Sequence, residues 1–186
     1  MNYYTTSVWQ EAVWQQAEPI YNQAFPEHGR KPVAIIRRMF DRGLCQLHIA
    51  SEPSGRPAAM ALSGIDRAAQ AVIIDYLAVL PDLRSQGYGT SLLNYIIDWA
   101  KKVPGCKGIV VEAEAEPTPA NERRIYFWER NGFRLTDYVH HYIWVPEPYR
   151  ALALSFREED PLPVDGRLLF RTITRFHQRA YREPHN

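Results

Sequence analysis

Arg84-Ser85-Gln86-Gly87-Tyr88-Gly89-Thr90 stands between two apolar segments of different period. The first, Ala71-Val72-Ile73-Ile74-Asp75-Tyr76-Leu77-Ala78-Val79, reads as a strand. The second, Ser91-Leu92-Leu93-Asn94-Tyr95-Ile96-Ile97-Asp98-Trp99-Ala100, carries its apolar residues three and four apart and reads as a helix. An arginine and two glycines therefore sit where a strand hands over to a helix. A helix start exposes unpaired backbone N–H groups and the positive end of the macrodipole. Glycine lets an anion approach those donors closely, and an arginine adds charge-assisted hydrogen bonds. The segment reads as a cradle for a pyrophosphate.

The spacing separates this cradle from two common ones. A dinucleotide fingerprint would need a third glycine three residues after Gly89, where Leu92 stands. A P-loop would need Gly-Lys-Ser/Thr, but Thr90 follows Gly89 directly.

Composition bounds the remaining choices. The chain has 186 residues, enough for one domain with a substantial core. It is 46% hydrophobic, with five Trp and eleven Tyr, as suits a globular protein. A net charge of +1 does not call for a nucleic acid as partner. Neither Cys45 nor Cys106 stands in a CxxC or at metal spacing from a histidine, so no metal site is expected. Two reduced thiols and a polar N-terminus suggest a cytoplasmic protein. No apolar run approaches the ~20 residues that a bilayer span requires, so no membrane partner is expected.

The periodicity predicts a helix from Val8 to Phe25, then a second from Pro32 through Phe40 with Gly43 at its end. Cys45, Leu47 and Ile49 alternate with Gln46 and His48, the pattern of a half-buried strand. A returning strand spans 58–65, followed by the strand and helix around the cradle. Gly108 to Glu114 reads as a further strand and Asn121 to Arg130 as a helix closed by Asn131-Gly132. Phe133 to Tyr138 and Ala151 to Phe156 read as two late strands. Asp165 can cap a helix from Gly166 to about Arg182.

Val79, then Arg84, Gly87 and Gly89 at that spacing, with Leu77-Ala78-Val79-Leu80-Pro81 before them, resembles the signature of the GCN5-related N-acetyltransferases, the GNAT superfamily. A second stretch is similar to a later helix of that family, which often reads Asn-x-x-Ala-x-x-Phe-Tyr-x-x-x-Gly-Phe. Here it is Asn121-Glu122-Arg123-Arg124-Ile125-Tyr126-Phe127-Trp128-Glu129-Arg130-Asn131-Gly132-Phe133. The resemblance is strong from Asp75 to Phe133 and weak before Cys45.

The resemblance implies an α/β (α+β) fold, a mixed and mostly antiparallel sheet flanked by helices; the C-terminal helical extension rests on the periodicity of that segment alone. The resemblance covers an acetyltransferase domain at 1–157 and says nothing of the remaining extension at 158–186. It implies acetyl-CoA as acetyl donor, held by Leu77, Val79, Arg84, Ser85, Gln86, Gly87, Tyr88, Gly89 and Thr90. From the second motif, Asn121, Arg124 and Trp128 would join them. The family opens its sheet beside the motif strand, and the coenzyme occupies that opening.

The implied activity is transfer of the acetyl group to a primary amine of a small molecule or peptide, by direct attack in a ternary complex. The alternative is a non-catalytic acyl-CoA sensor or partner subunit. Transfer requires a neutral amine, donors for the tetrahedral oxyanion and a proton for the leaving thiolate. The resemblance places the oxyanion donor at the Val79 backbone N–H. The tyrosine that protonates the thiolate in the family is replaced by Trp128, whose indole N–H donates a hydrogen bond but is no acid in this pH range. Tyr126 lies about 200° away round the helix. Tyr138, Tyr142, a water or the acceptor's own proton would take its place.

Asp75 is the candidate base, although an aspartate there could equally bond a neighbouring backbone group or arginine. Glu112, Glu114 and Glu116 could attract a cationic amine or form a solvated strand edge. His140 and His141, with Tyr142 and Trp144, are expected in the connection between the late strands. By analogy with the family, that connection and Glu27-His28-Gly29-Arg30 border the acceptor. In the C-terminal helix, Leu169, Ile173, Phe176 and Ala180 form an apolar stripe. It would pack on the domain or on a second copy of the chain as a homodimer. Arg167, Arg171, Arg175, Arg179 and Arg182 line another face, which is solvated or binds an anion, membrane or partner.

Overall fold

The protein is described from a computed structural model covering residues 1–182. The end of the expected 158–186 extension, residues 183–186, lies outside the described residues. In chain order the elements are β1 (Asn2–Thr6), α1 (Glu11–Ala24), α2 (Val33–Asp41), β2 (Gln46–Ser51), β3 (Pro57–Asp66), β4 (Ala71–Val79) and α3 (Tyr88–Ala100). They continue with β5 (Gly108–Glu114), α4 (Pro119–Arg130), β6 (Arg134–His141), β7 (Pro148–Ser155) and α5 (Gly166–Tyr181). Short 3₁₀ turns occupy Glu27–Gly29 and Pro81–Leu83. This is the mixed α/β architecture expected, with a C-terminal helix. Among the described residues no helix is long and apolar enough to cross a membrane.

The chain forms two compact units. The first contains residues 1–65, 74–99 and 178 onward; the second contains 66–73 and 100–177. In the first unit the strands run in the order β1-β2-β3-β4. The β1/β2 and β2/β3 pairs are antiparallel, with Tyr4 opposite Ile49 and Ile49 opposite Met60. Trp14, Ala17, Ile20 and Tyr21 of α1 and Ile36, Met39 and Phe40 of α2 are buried at helical spacing. Leu92, Leu93 and Ile96 do the same for α3. Gly43 closes α2 at φ +63°, a left-handed position that a side chain would strain. Its N–H bonds the Phe40 carbonyl, and the Leu44 N–H bonds that of Met39.

Two expectations change in this unit. β1 was not anticipated before Val8. Of its five residues only Thr6 is buried, so no alternation marks it; pairing with β2 makes it a strand. β2 was expected to be half-buried, yet Gln46 and His48 are buried with Leu47 and Ile49. His48 escapes the cost of burial because both ring nitrogens find hydroxyl partners.

In the second unit β7 lies between β5 and β6, antiparallel to both. β6 runs three residues further than expected and β7 begins three residues earlier. His140 and His141 are therefore strand residues, paired with Tyr149 and Pro148. Leu169, Phe170 and Ile173 of α5 pack with Val110, Tyr142, Ala151 and Leu162 in one buried cluster. The expected apolar stripe is buried, since Leu169, Ile173, Phe176 and Ala180 are each at most 3% exposed. Asp165 caps the helix as expected, its Oδ1 accepting the Arg167 N–H at 2.8 Å. Such a cap contributes about 1 kcal/mol. At Gly166 a Cβ would come within 2.6 Å of Thr136 Oγ1 and 2.8 Å of Tyr138 Cβ, so glycine permits the helix start to approach β6.

The basic face of α5 is only partly solvated. Arg175 Nε donates to the Asp66 Oδ2 at 2.6 Å, and Asp66 is 2% exposed. Burial alone would raise the Asp66 carboxyl. The hydrogen bonds from Arg175 and the Ala69 N–H outweigh that effect and hold it below its ordinary range. At the other end of α5, within the first unit, Arg42 Nη1 donates to the Arg179 and Arg182 carbonyls at 2.7 and 2.9 Å. A guanidinium there satisfies terminal carbonyls and complements the negative end of the dipole.

Candidate functional site

In the first unit, the junction after β4 is a tight turn that leads directly into α3. The strand ends at Val79, and Leu80 donates its N–H to the Ala58 carbonyl on β3 at 3.0 Å. A turn at Pro81–Leu83 leads into Arg84, which is extended, and α3 begins at Tyr88. Ser85 has φ +61° and Gly87 φ +87°. Left-handed residues interspersed in a turn bring successive N–H groups toward one concave side, the form that receives anions. Ser85 is not a glycine, so this conformation costs on the order of 1 kcal/mol. A Cβ built on Gly87 would meet nothing within 4 Å, so space is open beside the helix start. The Gly87 carbonyl accepts the Ser91 N–H and starts the helix.

Arg84 is exposed, with its Nε 3.4 Å from the Val79 carbonyl oxygen. Gln86 Nε2 donates to the Asp82 carbonyl at 2.9 Å. The β2–β3 turn also holds this junction, which the sequence reading did not anticipate. Arg56 Nη2 meets Asp82 at 2.6 Å, and the Tyr88 hydroxyl donates to Glu52 at 3.1 Å. Gly89 is buried and Thr90 half-buried at the base of the helix.

Along β4, Val72, Ile74, Tyr76 and Ala78 are buried, whereas Asp75, Leu77 and Val79 are half-buried on the alternate positions. The Asp75 side chain itself is only 2% exposed. Both its oxygens accept from Lys31 Nζ, at 2.7 and 2.8 Å. Of the alternatives open for Asp75, the structure displays an ion pair, with a lysine rather than an arginine. Nothing in the local pattern around Lys31 signals this, because the partners are 44 residues apart.

In the second unit, Thr118 caps α4 by accepting the Asn121 N–H at 3.2 Å. The Asn121 side chain is buried, donating to the Glu116 carbonyl at 3.2 Å and accepting from Arg124 Nη1 at 2.8 Å. Arg124 also meets Glu114 at 3.3 Å. Trp128 is 8% exposed, and its ring lies edge-on to Phe127 and Phe133 with centroids 5.1 Å away in each case. Tyr126 is 62% exposed, in keeping with its position on another side of the helix.

The second unit also contains a network the sequence did not foretell. Glu112 accepts the Tyr142 hydroxyl at 2.7 Å and pairs with His177 Nε2 at 2.9 Å. Glu112 is thus no solvated strand edge. Burial, reinforced by Glu112, pushes the Tyr142 hydroxyl above its ordinary range, so it holds its proton. The Tyr138 hydroxyl lies 3.4 Å from His140 Nδ1. His140 stacks on Phe170 at 4.3 Å, and burial pushes its imidazole below the usual value.

A sequence profile described as the acetyltransferase (GNAT) family matches residues 11–133. No curated protein is significantly similar in sequence. Among solved structures, a GNAT-family protein from Bacteroides thetaiotaomicron shares 20% identity at a TM-score of 0.73, covering 97% of this chain and 98% of its own. The ribosomal-protein-S18-alanine N-acetyltransferase from Escherichia coli shares 21% identity at a TM-score of 0.58, covering 86% and 98%. Arabidopsis thaliana NAA60 in complex with acetyl-CoA shares 15% at 0.65, covering 83% and 99%. At these identities the structural likeness establishes the fold, and the profile match over most of the chain establishes the kinship. The chain belongs to the acetyltransferase (GNAT) family.

Proposed function

We propose that this protein is an acetyl-CoA-dependent N-acetyltransferase acting on a primary amine of a small molecule or peptide. The observation that carries the reading is the 84–89 loop. It combines left-handed Ser85 and Gly87, open space beside Gly87 and an exposed arginine at the start of α3. Those features suit a doubly charged pyrophosphate. Arg84, Ser85, Gln86, Gly87, Tyr88, Gly89 and Thr90 would hold it, with Leu77 and Val79 along the pantetheine arm. On the second unit, Asn121, Arg124 and Trp128 are proposed coenzyme contacts.

The reaction follows from thioester chemistry. The amine nitrogen attacks the carbonyl carbon, a C–N bond forms and the carbonyl pair moves onto oxygen. The Val79 N–H would stabilise that oxyanion. The C–S bond then breaks, the pair returns to the carbonyl, and the thiolate leaves. With Trp128 in place of a tyrosine, and Tyr142 committed to Glu112, the thiolate would take its proton from the attacking amine or from water. No covalent nucleophile is needed; Cys45 is buried and its thiol is pushed up by burial. We place the reaction in the cytoplasm, which agrees with two free cysteines.

Turnover of acetyl-CoA with an amine panel, followed by release of free thiol, tests the proposal. Binding of acetyl-CoA without turnover of any amine would favour a non-catalytic acyl-CoA sensor, the reading that tryptophan at 128 in place of the family's tyrosine leaves open. Equal thermal stabilisation by ATP and acetyl-CoA would remove the coenzyme assignment altogether.

A further inference from the structure

Asp75, Tyr76 and Tyr21 hold Lys31 inside the first unit. Its ammonium spans both Asp75 oxygens and lies 5.1 Å from the centre of the Tyr76 ring. Its backbone N–H lies 2.8 Å from the Tyr21 hydroxyl and 3.1 Å from that of Tyr76. The Tyr21 hydroxyl donates to the Lys31 carbonyl, and the Tyr76 hydroxyl to that of Gly29. Phe25 closes the set, edge-on to Tyr76 with centroids 4.8 Å apart. The Lys31 and Asp75 side chains are 5% and 2% exposed. Burial pushes both tyrosine hydroxyls above their ordinary range, so they stay protonated donors.

Asp75 and Tyr76 fasten the connection between α1 and α2 onto β4, and Tyr21 fastens it back onto α1. Its inner end at Lys31 is buried, while Glu27, His28 and Gly29 at its tip are exposed. The anchor at Asp75 and Tyr76 precedes Val79 by three to four residues, about 13 Å of strand at most. An exposed, chemically varied tip is thereby held at a set distance from the proposed oxyanion donor. A buried ion pair is a costly way to gain stability alone, because desolvation cancels much of the Coulomb attraction. It is an effective way to impose one geometry.

We infer that Asp75 is a positioning residue that acts through Lys31, fixing the 25–32 connection for acceptor recognition, and not the group that takes the amine proton. The inference rests on the acetyltransferase reading and assigns Asp75 a place within it. Lys31→Gln separates the two roles, because it removes the ammonium but leaves the carboxylate.

The variants Lys31→Gln, Asp75→Asn and the double change are compared with the full chain, using acetyl-CoA with spermidine and with an alanine-initiated hexapeptide as acceptors. Each single change should raise the acceptor KM by about tenfold or more, the scale of one lost hydrogen bond to a charged group. The double variant should be no worse than either single, since the two residues act as one unit. Lys31→Arg should recover most of the loss. Acetyl-CoA affinity, measured by calorimetry, should stay within about threefold, below the value of one such bond. Near-normal kinetics in Lys31→Gln beside a collapsed kcat and a lost acidic limb in Asp75→Asn would overturn the inference and make Asp75 the base.

If wild type turns over neither amine, amide hydrogen exchange decides. The Lys31 amide should exchange about tenfold faster or more in both single variants, as its local opening becomes easier. Unchanged protection would overturn the inference. Failure of wild type to bind acetyl-CoA would instead count against the acetyltransferase reading.

Discussion

Lowering the pH from 7.0 to 5.0 should weaken the fold, chiefly through His48. Its ring is fully buried on β2, with Nδ1 2.8 Å from Thr5 Oγ1 and Nε2 2.8 Å from Ser63 Oγ. Thr5 Oγ1 donates to the Tyr95 hydroxyl, which leaves its lone pairs for His48 Nδ1–H. Ser63 can then donate to Nε2, so the neutral ring is satisfied at both nitrogens. Burial pushes the imidazole down to about 3 from its ordinary 6.5. The folded state therefore refuses a proton that the unfolded chain accepts below pH 6.5. Stability from this group is intact above that value, falls by about 1.4 kcal/mol per pH unit below it, and levels off near pH 3. At pH 5.0 the loss is about 2 kcal/mol. Urea unfolding at both pH values measures it, with His48→Gln as reference because glutamine can donate and accept but does not titrate. Acid effects on the other groups are shared and cancel in the difference. Wild type should lose about 2 kcal/mol more than the variant between the two pH values. An equal loss in both, or a His48 imidazole titrating near 6 by NMR, would refute the reasoning.

Arg84→Ala should weaken acetyl-CoA binding by about 1.5–3 kcal/mol in calorimetry, the value of a hydrogen bond to a charged group. Gly87→Val should abolish binding, because valine resists φ +87° and its side chain would enter the open space beside the helix; unimpaired binding would count against the cradle. Trp128→Tyr places the family's proton donor in α4 and should preserve or raise the rate with acetyl-CoA, whereas a large loss would give the indole a packing or acceptor role of its own. Arg175→Met should destabilise the second unit by about 1–3 kcal/mol at pH 7, because the buried Asp66 carboxylate loses its partly exposed guanidinium partner. That penalty should shrink in acid as Asp66 becomes protonated, and equal melting curves at pH 7 would show the contact to be idle.

Much of the fold was legible along the chain because the signals are local. A glycine needed at positive φ, a capping aspartate and an apolar stripe act within a few residues. Gly43, Gly87, Asp165 and the stripe of α5 accordingly appear where the sequence places them. The Arg84–Gly89 loop was readable for the same reason, since turn geometry, glycine and helix start are contiguous. β1 was not legible, because an exposed edge strand has no buried face to print a period of two, and only β2 defines it. The ends of β6 and β7 were set by pairing across the hairpin, which holds His140 and His141 in a strand. The charged partners lay furthest from view. Lys31 finds Asp75 across 44 residues, His177 finds Glu112 across 65, and Arg175 finds Asp66 across 109. The sequence by itself determined the helices, the strand that ends at Val79 and the turn that follows it, because each depends on neighbours in the chain. Only the tertiary structure decided which partner each buried or half-buried acid meets, because such pairs form where the fold brings together groups that leave water.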